Sequence, residues 1–470
     1  MSITATSRRH IPDILDCLSQ LSNDQVPTPP KLANAMLDLL PTEVWSDPTL
    51  RWLDPAVKSG VFLREIATRL LLGLAGWESN FEKRRDHIFR NMLYGTSIDE
   101  VTGLLARRSL YYSTRADGDR SVLRFESPDG NVPFVRTSHS FRDERCTVCG
   151  APAALERGDD RENYAYSFTH GTYPTQELKD MKFDVIVGNP PYQIGVDGNT
   201  RTRPVYQQFV LQAIEMQPRH VLMITPSRWF TGGLGLDEFR AAMLADRRLE
   251  KMVDNPKLFD CFPGVEIKGG VSYFLWTRSH NGDCEFSVRV NGQIVSTMSR
   301  DLRKGKGVLV RSNDAETIIE KVEALGEQSI SHRVSSQKPF GLLSNFSDFR
   351  AEQEPGDVRL YKRDRKPAWI DRAQITQGQD LVSPIKVLTP EAGDGHGRVP
   401  AIVTGAPFVV EGNSACTQTF LVAGAFESLV DAERYAALLR TRFARFLVHQ
   451  RKASQHTTSD SYAFVPDVLG

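Results

Sequence analysis

Four consecutive residues, Asn189-Pro190-Pro191-Tyr192, carry the most specific chemistry in this 470-residue chain. They follow the apolar run Val185-Ile186-Val187, which places them just past the carboxyl end of a buried strand, where open α/β sheets bind ligands. The side-chain carbonyl of Asn189 and the backbone carbonyl of Pro190 can together accept both protons of a planar, conjugated amine. Such an amine is a poor nucleophile because its lone pair is delocalised. Two well-placed acceptors draw the nitrogen toward tetrahedral geometry and aim the lone pair at an electrophile. The prolines remove backbone donors and stiffen the loop, and Tyr192 offers a face on which an extruded ring can stack. A surface turn would explain the tetrapeptide alone; the strand before it and the loops described next favour the chemical reading.

A second constellation is Asp54-Pro55-Ala56-Val57-Lys58-Ser59-Gly60. Small residues at Ser59 and Gly60 let the backbone approach a ligand, and Asp54 can receive an ammonium group. Ahead of it, Thr28-Pro29-Pro30 precedes the helical pattern LANAMLDLL. Thr28 there suits either a ligand contact or a helix cap. Asp99 closes a second strand-to-loop segment and suits ribose hydroxyls or, again, a cap. Cys146 and Cys149, spaced CxxC before Gly150, have half the pattern of a zinc knuckle, with His139 and His170 as the nearest further ligands. Two free thiols are the alternative.

The elements that must position these groups alternate. TLRWLDPA reads as a strand, VFLREIATRLLLGLA as a helix, NMLYGTSIDE as a strand, VTGLLARRSLYY as a helix, and the rhythm resumes at KFDVIVGNPPY, YQQFVLQAIEM, HVLMITPSRW and GGVSYFLWTR. This spacing predicts an α/β fold with a parallel, doubly wound sheet. Residues 112–180 are polar and break the pattern, so they read as an insertion. Regular alternation fades beyond about 300. The expected division is a catalytic domain over 1–295 and a second domain over 296–470.

FDVIVGNPPY resembles the catalytic motif of amino-group DNA methyltransferases, and DPAVKSGVFL resembles their cofactor loop. With the TPP segment first, the order resembles the gamma class of N6-adenine methyltransferases in type II restriction–modification systems. The resemblance implies a Rossmann-like, S-adenosylmethionine-dependent sheet followed by a C-terminal target-recognition domain, with methyl transfer to the N6 amine of adenine in double-stranded DNA. It implies that Asn189, Pro190, Pro191 and Tyr192 hold the base and its amine, with Phe262 as a second stacking ring. It places Thr28, Pro29, Asp54, Ala56, Ser59, Gly60 and Asp99 around the cofactor. The family pattern usually has glycine where Lys58 stands, and its ribose-binding acid stands at the position of Ser97. SACTQTFLV and the run from Arg440 onward resemble the recognition domain, and a cognate restriction nuclease or helicase subunit is the partner the family implies.

The remaining features bound this reading. Lys plus Arg and Asp plus Glu are equal at 58 each, so contacts to DNA phosphates require positive charge gathered locally. Arg442, Arg445, Arg451 and Lys452, with Phe443 and Phe446 interleaved, form the expected DNA-binding stripe, and Arg228 follows a strand on the same sheet edge as Asn189. Scattered cysteines, no signal-peptide core at the N-terminus and no long apolar run point to the cytoplasm and away from membranes. Three other functions compete. One is a nuclease using Asp260, Glu266 and Lys268, alone or fused to a methylase. Another is a silent DNA-recognition subunit disabled by Lys58. The third is a methyltransferase acting on RNA or a protein glutamine.

Overall fold

The computed structural model describes residues 26–153, 165–194, 203–233, 235–257, 260–262, 267, 269–304, 307–364, 366–393, 403–452 and 456–468. In chain order the first half contains helix α1 (Pro30–Leu37), strand β1 (Trp52–Val57), α2 (Val61–Gly73), α3 (Phe81–His87), β2 (Leu93–Ser97) and α4 (Glu100–Tyr111). A small hairpin follows, β3 (Phe141–Arg142) and β4 (Arg145–Cys146), and then β5 (Val185–Gly188) and a second small hairpin, β6 (Gln193–Ile194) and β7 (Arg203–Pro204). Next come α5 (Tyr206–Glu215), β8 (His220–Pro226), α6 (Asp237–Ala245), β9 (Leu249–Asn255), β10 (Val271–Thr277), β11 (Cys284–Val290) and β12 (Gln293–Arg300).

One eight-stranded sheet runs in the order β12-β11-β9-β10-β8-β5-β1-β2. β1, β5 and β10 are buried at every position. Their near-continuous apolar runs are what strands covered on both faces require. β2, β1, β5 and β8 pair in parallel, with Trp52 opposite Leu93 on one side and Val185 on the other. The α/β class holds, but the sheet is mixed. The chain turns back after β9, so β10 lies antiparallel between β8 and β9, and β11 and β12 add a hairpin that the sequence pattern did not reveal. β12 is exposed along most of its length, as an edge strand with polar residues can be.

The other edge is protected differently. Beyond α4 the described residues of the inserted segment have little regular structure, yet the amides of Gly95 and Ser97 on β2 donate to the carbonyls of Asn131 and Pro133 at 3.0 and 3.1 Å. The insertion thus occupies hydrogen bonds that an open edge would offer to another chain. Leu123, Phe125 and Val132 anchor it in the core beside Tyr111.

The first compact unit ends at Gly307 and the second spans Val308–Gly470; residue 295 lies inside β12. The second unit holds α7 (Asn313–Glu323), β13 (Val358–Tyr361), β14 (Trp369–Ile370), β15 (Ile385–Pro390), β16 (Phe408–Val410), β17 (Ser414–Cys416), β18 (Phe420–Phe426), α8 (Leu429–Arg440) and α9 (Arg442–Arg451). Its strands form two three-stranded sheets, β14-β13-β17 and β16-β15-β18.

Candidate active site

Asp54 and Asn189 come together because β1 and β5 are neighbours in parallel register. Asp54 sits within β1 and Asn189 follows the last residue of β5. Gly188 makes room for the pair: a Cβ there would stand 2.9 Å from a carboxylate oxygen of Asp54. At the other end of the loop Gly60 adopts φ +75°, which favours glycine, and a Cβ would meet the Ala106 carbonyl at 2.9 Å. Helix α2 therefore starts close against α4.

Asn189 is 3% exposed. Its amide nitrogen donates to the Val26 carbonyl at 3.3 Å and to the Thr28 hydroxyl at 3.1 Å. A backbone carbonyl can only accept, so the nitrogen must face Val26, and the orientation of the amide follows. The side-chain oxygen is left buried with no hydrogen-bond partner. Buried polar atoms are rarely left so; an amine donor would satisfy it. The hydroxyls of Ser59 and Tyr192 are likewise buried and unpartnered.

Thr28, Asp54, Ala56, Ser59, Gly60 and Asn189 line one cavity together with Lys58. Pro29 is not among these residues. It is the N-cap of α1, without a side-chain cap bond, so Thr28 spends its hydroxyl on Asn189 rather than on the helix. Asp99 lies outside the cavity: its carboxylate accepts from the Thr102 amide at 2.7 Å and completes a capping box on α4. Tyr192 and Phe262 meet edge to face, with centroids 6.3 Å apart and planes at 75°; Phe262 belongs to the main core cluster, and the partly buried Tyr192 packs against it. Pro190 and Pro191 are buried beside them.

A family model described as Eco57I restriction-modification methylase matches residues 91–262. An uncharacterized adenine-specific methylase of Mycoplasma pneumoniae is 33% identical over 342 residues, covering 66% of this chain and 80% of the relative. The chain belongs to this family of adenine-specific methylases. Membership implies S-adenosylmethionine as methyl donor. Among solved structures, the type IIL restriction-modification enzyme MmeI in complex with DNA is 14% identical with a TM-score of 0.49, over 96% of this chain and 65% of that one. A DrdV–DNA complex is 11% identical with a TM-score of 0.49, over 94% and 56%. The methylase thus spans between half and two thirds of the length of these proteins.

His139, Cys146, Cys149 and His170 of the methylase converge, their potential ligand atoms all within 4.8 Å of one another. Cys146 Sγ lies 3.4 Å from His170 Nε2 and Cys149 Sγ 3.3 Å from His139 Nδ1. Burial opposes ionisation of Cys146, but the amides of Cys149 and Val148 and the His170 ring outweigh it and bring its thiol down to about 5. Burial pushes Cys149 up to about 12.

The basic residues expected to meet DNA are less uniform than their spacing suggested. Arg228 and Arg442 are exposed, and Arg445 is half-buried on α9. Arg451 pairs with Asp460 at 2.7 Å, and Lys452 donates to the Val403 carbonyl at 2.6 Å. Amphipathic packing of α9 turns that end inward, which spacing alone could not indicate. Asp260 accepts from the Asn291 amide; Glu266 and Lys268 lie outside the described residues. No helix among the described residues is long and apolar enough to cross a membrane.

Burial raises the Asp54 carboxyl to about 7, against the opposing effects of the Ala56 amide and the Lys58 charge. The folded protein therefore holds this proton more tightly than the unfolded chain does. The resulting stabilisation is full below about pH 4 and is lost as pH rises through about 7. Asp54→Asn should flatten that part of the profile. Urea melts from pH 5 to 8 should show the wild type losing up to a few kcal/mol relative to the variant, because each tenfold difference in proton affinity between the folded and unfolded chain is worth ~1.4 kcal/mol. Parallel profiles would refute the assignment.

Proposed function

We propose that this methylase transfers the methyl group of S-adenosylmethionine to the N6 amine of an adenine turned out of double-stranded DNA, and that Asn189 is the residue that makes the amine reactive. The observation that carries this reading is the fixed amide: its nitrogen is held by Val26 and Thr28, and its oxygen is buried and unpartnered. An acceptor held in advance costs no reorganisation when the amine arrives. The Pro190 carbonyl is the second acceptor, and the two prolines hold the loop rigid. Tyr192 supplies the stacking face, and Phe262, edge-on behind it, fixes the ring.

The donor set at the cavity fits the cofactor. Asp54 offers a buried carboxylate for the cationic methionine end, and Ser59 and Thr28 offer hydroxyls. When bound, S-adenosylmethionine supplies an electrophilic methyl group. The protein's own contribution is to hold the amine in line with it and to exclude water, which is positioning chemistry. Arg228 and Arg442 are the exposed cations proposed to meet DNA phosphates, and the second unit is the proposed target-recognition domain. A cognate restriction nuclease or helicase subunit is the proposed partner.

Asn189→Ala should lower methyl transfer by at least ~100-fold, the usual cost of removing one preorganised catalytic group, while calorimetric binding of S-adenosylhomocysteine stays nearly unchanged. Unimpaired single-turnover transfer in this variant would overturn the mechanism.

The His139, Cys146, Cys149 and His170 cluster is proposed to hold a structural zinc ion. Tetrahedral zinc with S and N ligands spaces them ~3.3–3.8 Å apart, and both measured sulfur–nitrogen distances fall in that range. Four protein ligands leave no open position, so the role is structural rather than catalytic. The knuckle also grips the elements beyond the catalytic loop: Gln208 at the start of α5 donates to the Val148 carbonyl at 2.8 Å. The purified protein should carry one zinc per chain by atomic emission, and Cys149→Ser should lose the metal and melt at lower temperature. Metal-free wild-type protein with an unchanged melting curve after chelation contradicts the assignment.

A further inference from the structure

The cavity between Thr28, Asp54, Ser59 and Asn189 is almost filled. It retains about 10 Å³ of space, whereas small-molecule sites ordinarily offer ~300–1,000 Å³. Lys58 is one of the side chains that line it, and it is 8% exposed. Its ammonium donates to the Val26 carbonyl at 3.4 Å, the same oxygen that Asn189 reaches at 3.3 Å. It also stands 5.9 Å from the centre of the Tyr192 ring, and its charge acts on Asp54. One cation is thus placed among the carboxylate, the acceptor amide and the stacking ring.

The other walls have little freedom. Asp54 and Ala56 belong to β1, Gly60 is packed against the Ala106 backbone, and Asn189 is held by two hydrogen bonds. Lys58 follows the strand and precedes the helix, and its flexible four-carbon stem can swing without breaking either element. We propose that Lys58 is an internal occupant of the methyl donor's subsite, and that its ammonium must leave before the donor can bind. This rests on reading the cavity as the cofactor site. The position Lys58 vacates is suited to a cationic ligand, because it keeps a carboxylate on one side and an aromatic ring on another. A pocket closed by its own side chain binds with an apparent affinity reduced by the fraction of time it stands open.

The test is calorimetric titration of S-adenosylhomocysteine into the full chain without DNA, for the wild type and for Lys58→Ala and Lys58→Met. Lys58→Ala, which opens the cavity, should bind about tenfold more tightly or better, as removal of a closed state requires. Lys58→Met, which keeps length but not charge, should fall between it and the wild type. Weaker binding in both variants would overturn the proposal and make Lys58 an anchor for the ligand's carboxylate; unchanged binding would overturn it outright. If neither the wild type nor either variant binds, the cofactor reading of the cavity fails, an outcome distinct from the other two.

Discussion

Strands β1 and β5 run side by side in parallel, and the site exists because of that pairing. Parallel neighbours deliver their carboxyl ends to the same edge of the sheet, so Asp54 and Asn189, 135 residues apart in sequence, share one cavity. The approach is close enough that Gly188 has no room for a side chain beside the Asp54 carboxylate. Burial on both faces of these strands excludes water and gives each polar group an unusual energy. It raises the Asp54 carboxyl, leaves the Asn189 oxygen without a partner, and holds the Lys58 ammonium against a carbonyl rather than in solvent. These are costs a fold tolerates where a ligand relieves them.

Much of this was legible in the sequence because the motifs are local. A tetrapeptide after a strand, a loop between strand and helix, and a CxxC pair each declare themselves within a few residues. Asn189, Asp54, Ser59 and Cys146 could therefore be singled out from type and spacing. What binds them to one another could not. Asn189 is fixed by Val26 and Thr28, at separations of 163 and 161 residues, and nothing near Val26 marks its carbonyl as an acceptor. Thr28 illustrates the limit: its place before a helix suited a cap, but Pro29 takes the N-cap position and the hydroxyl turns to Asn189. Asp99 shows the cap that its position also suited: its carboxylate completes a capping box on α4.

Sheet order and charge placement were harder still. Apolar periodicity identifies β10 as a strand but not its direction, and its antiparallel insertion between β8 and β9 depends on where the chain turns. The polar hairpin β11–β12 lacks the apolar runs that mark the central strands, and most of β12 faces solvent. In the second unit, the basic run ending in Arg451 and Lys452 reads as one stripe, yet packing of α9 gives these two internal partners and leaves Arg442 to solvent. Equal totals of acidic and basic residues make that distribution decisive, because affinity for a polyanion then depends on which cations remain available to phosphate.

The central claim is tested most directly by incubating the protein with labelled S-adenosylmethionine and unmethylated genomic DNA, then digesting the DNA and separating its nucleosides. Label confined to N6-methyladenine is the result this account predicts. Label on cytosine, or label absent from DNA while the protein demonstrably binds the cofactor, would contradict it.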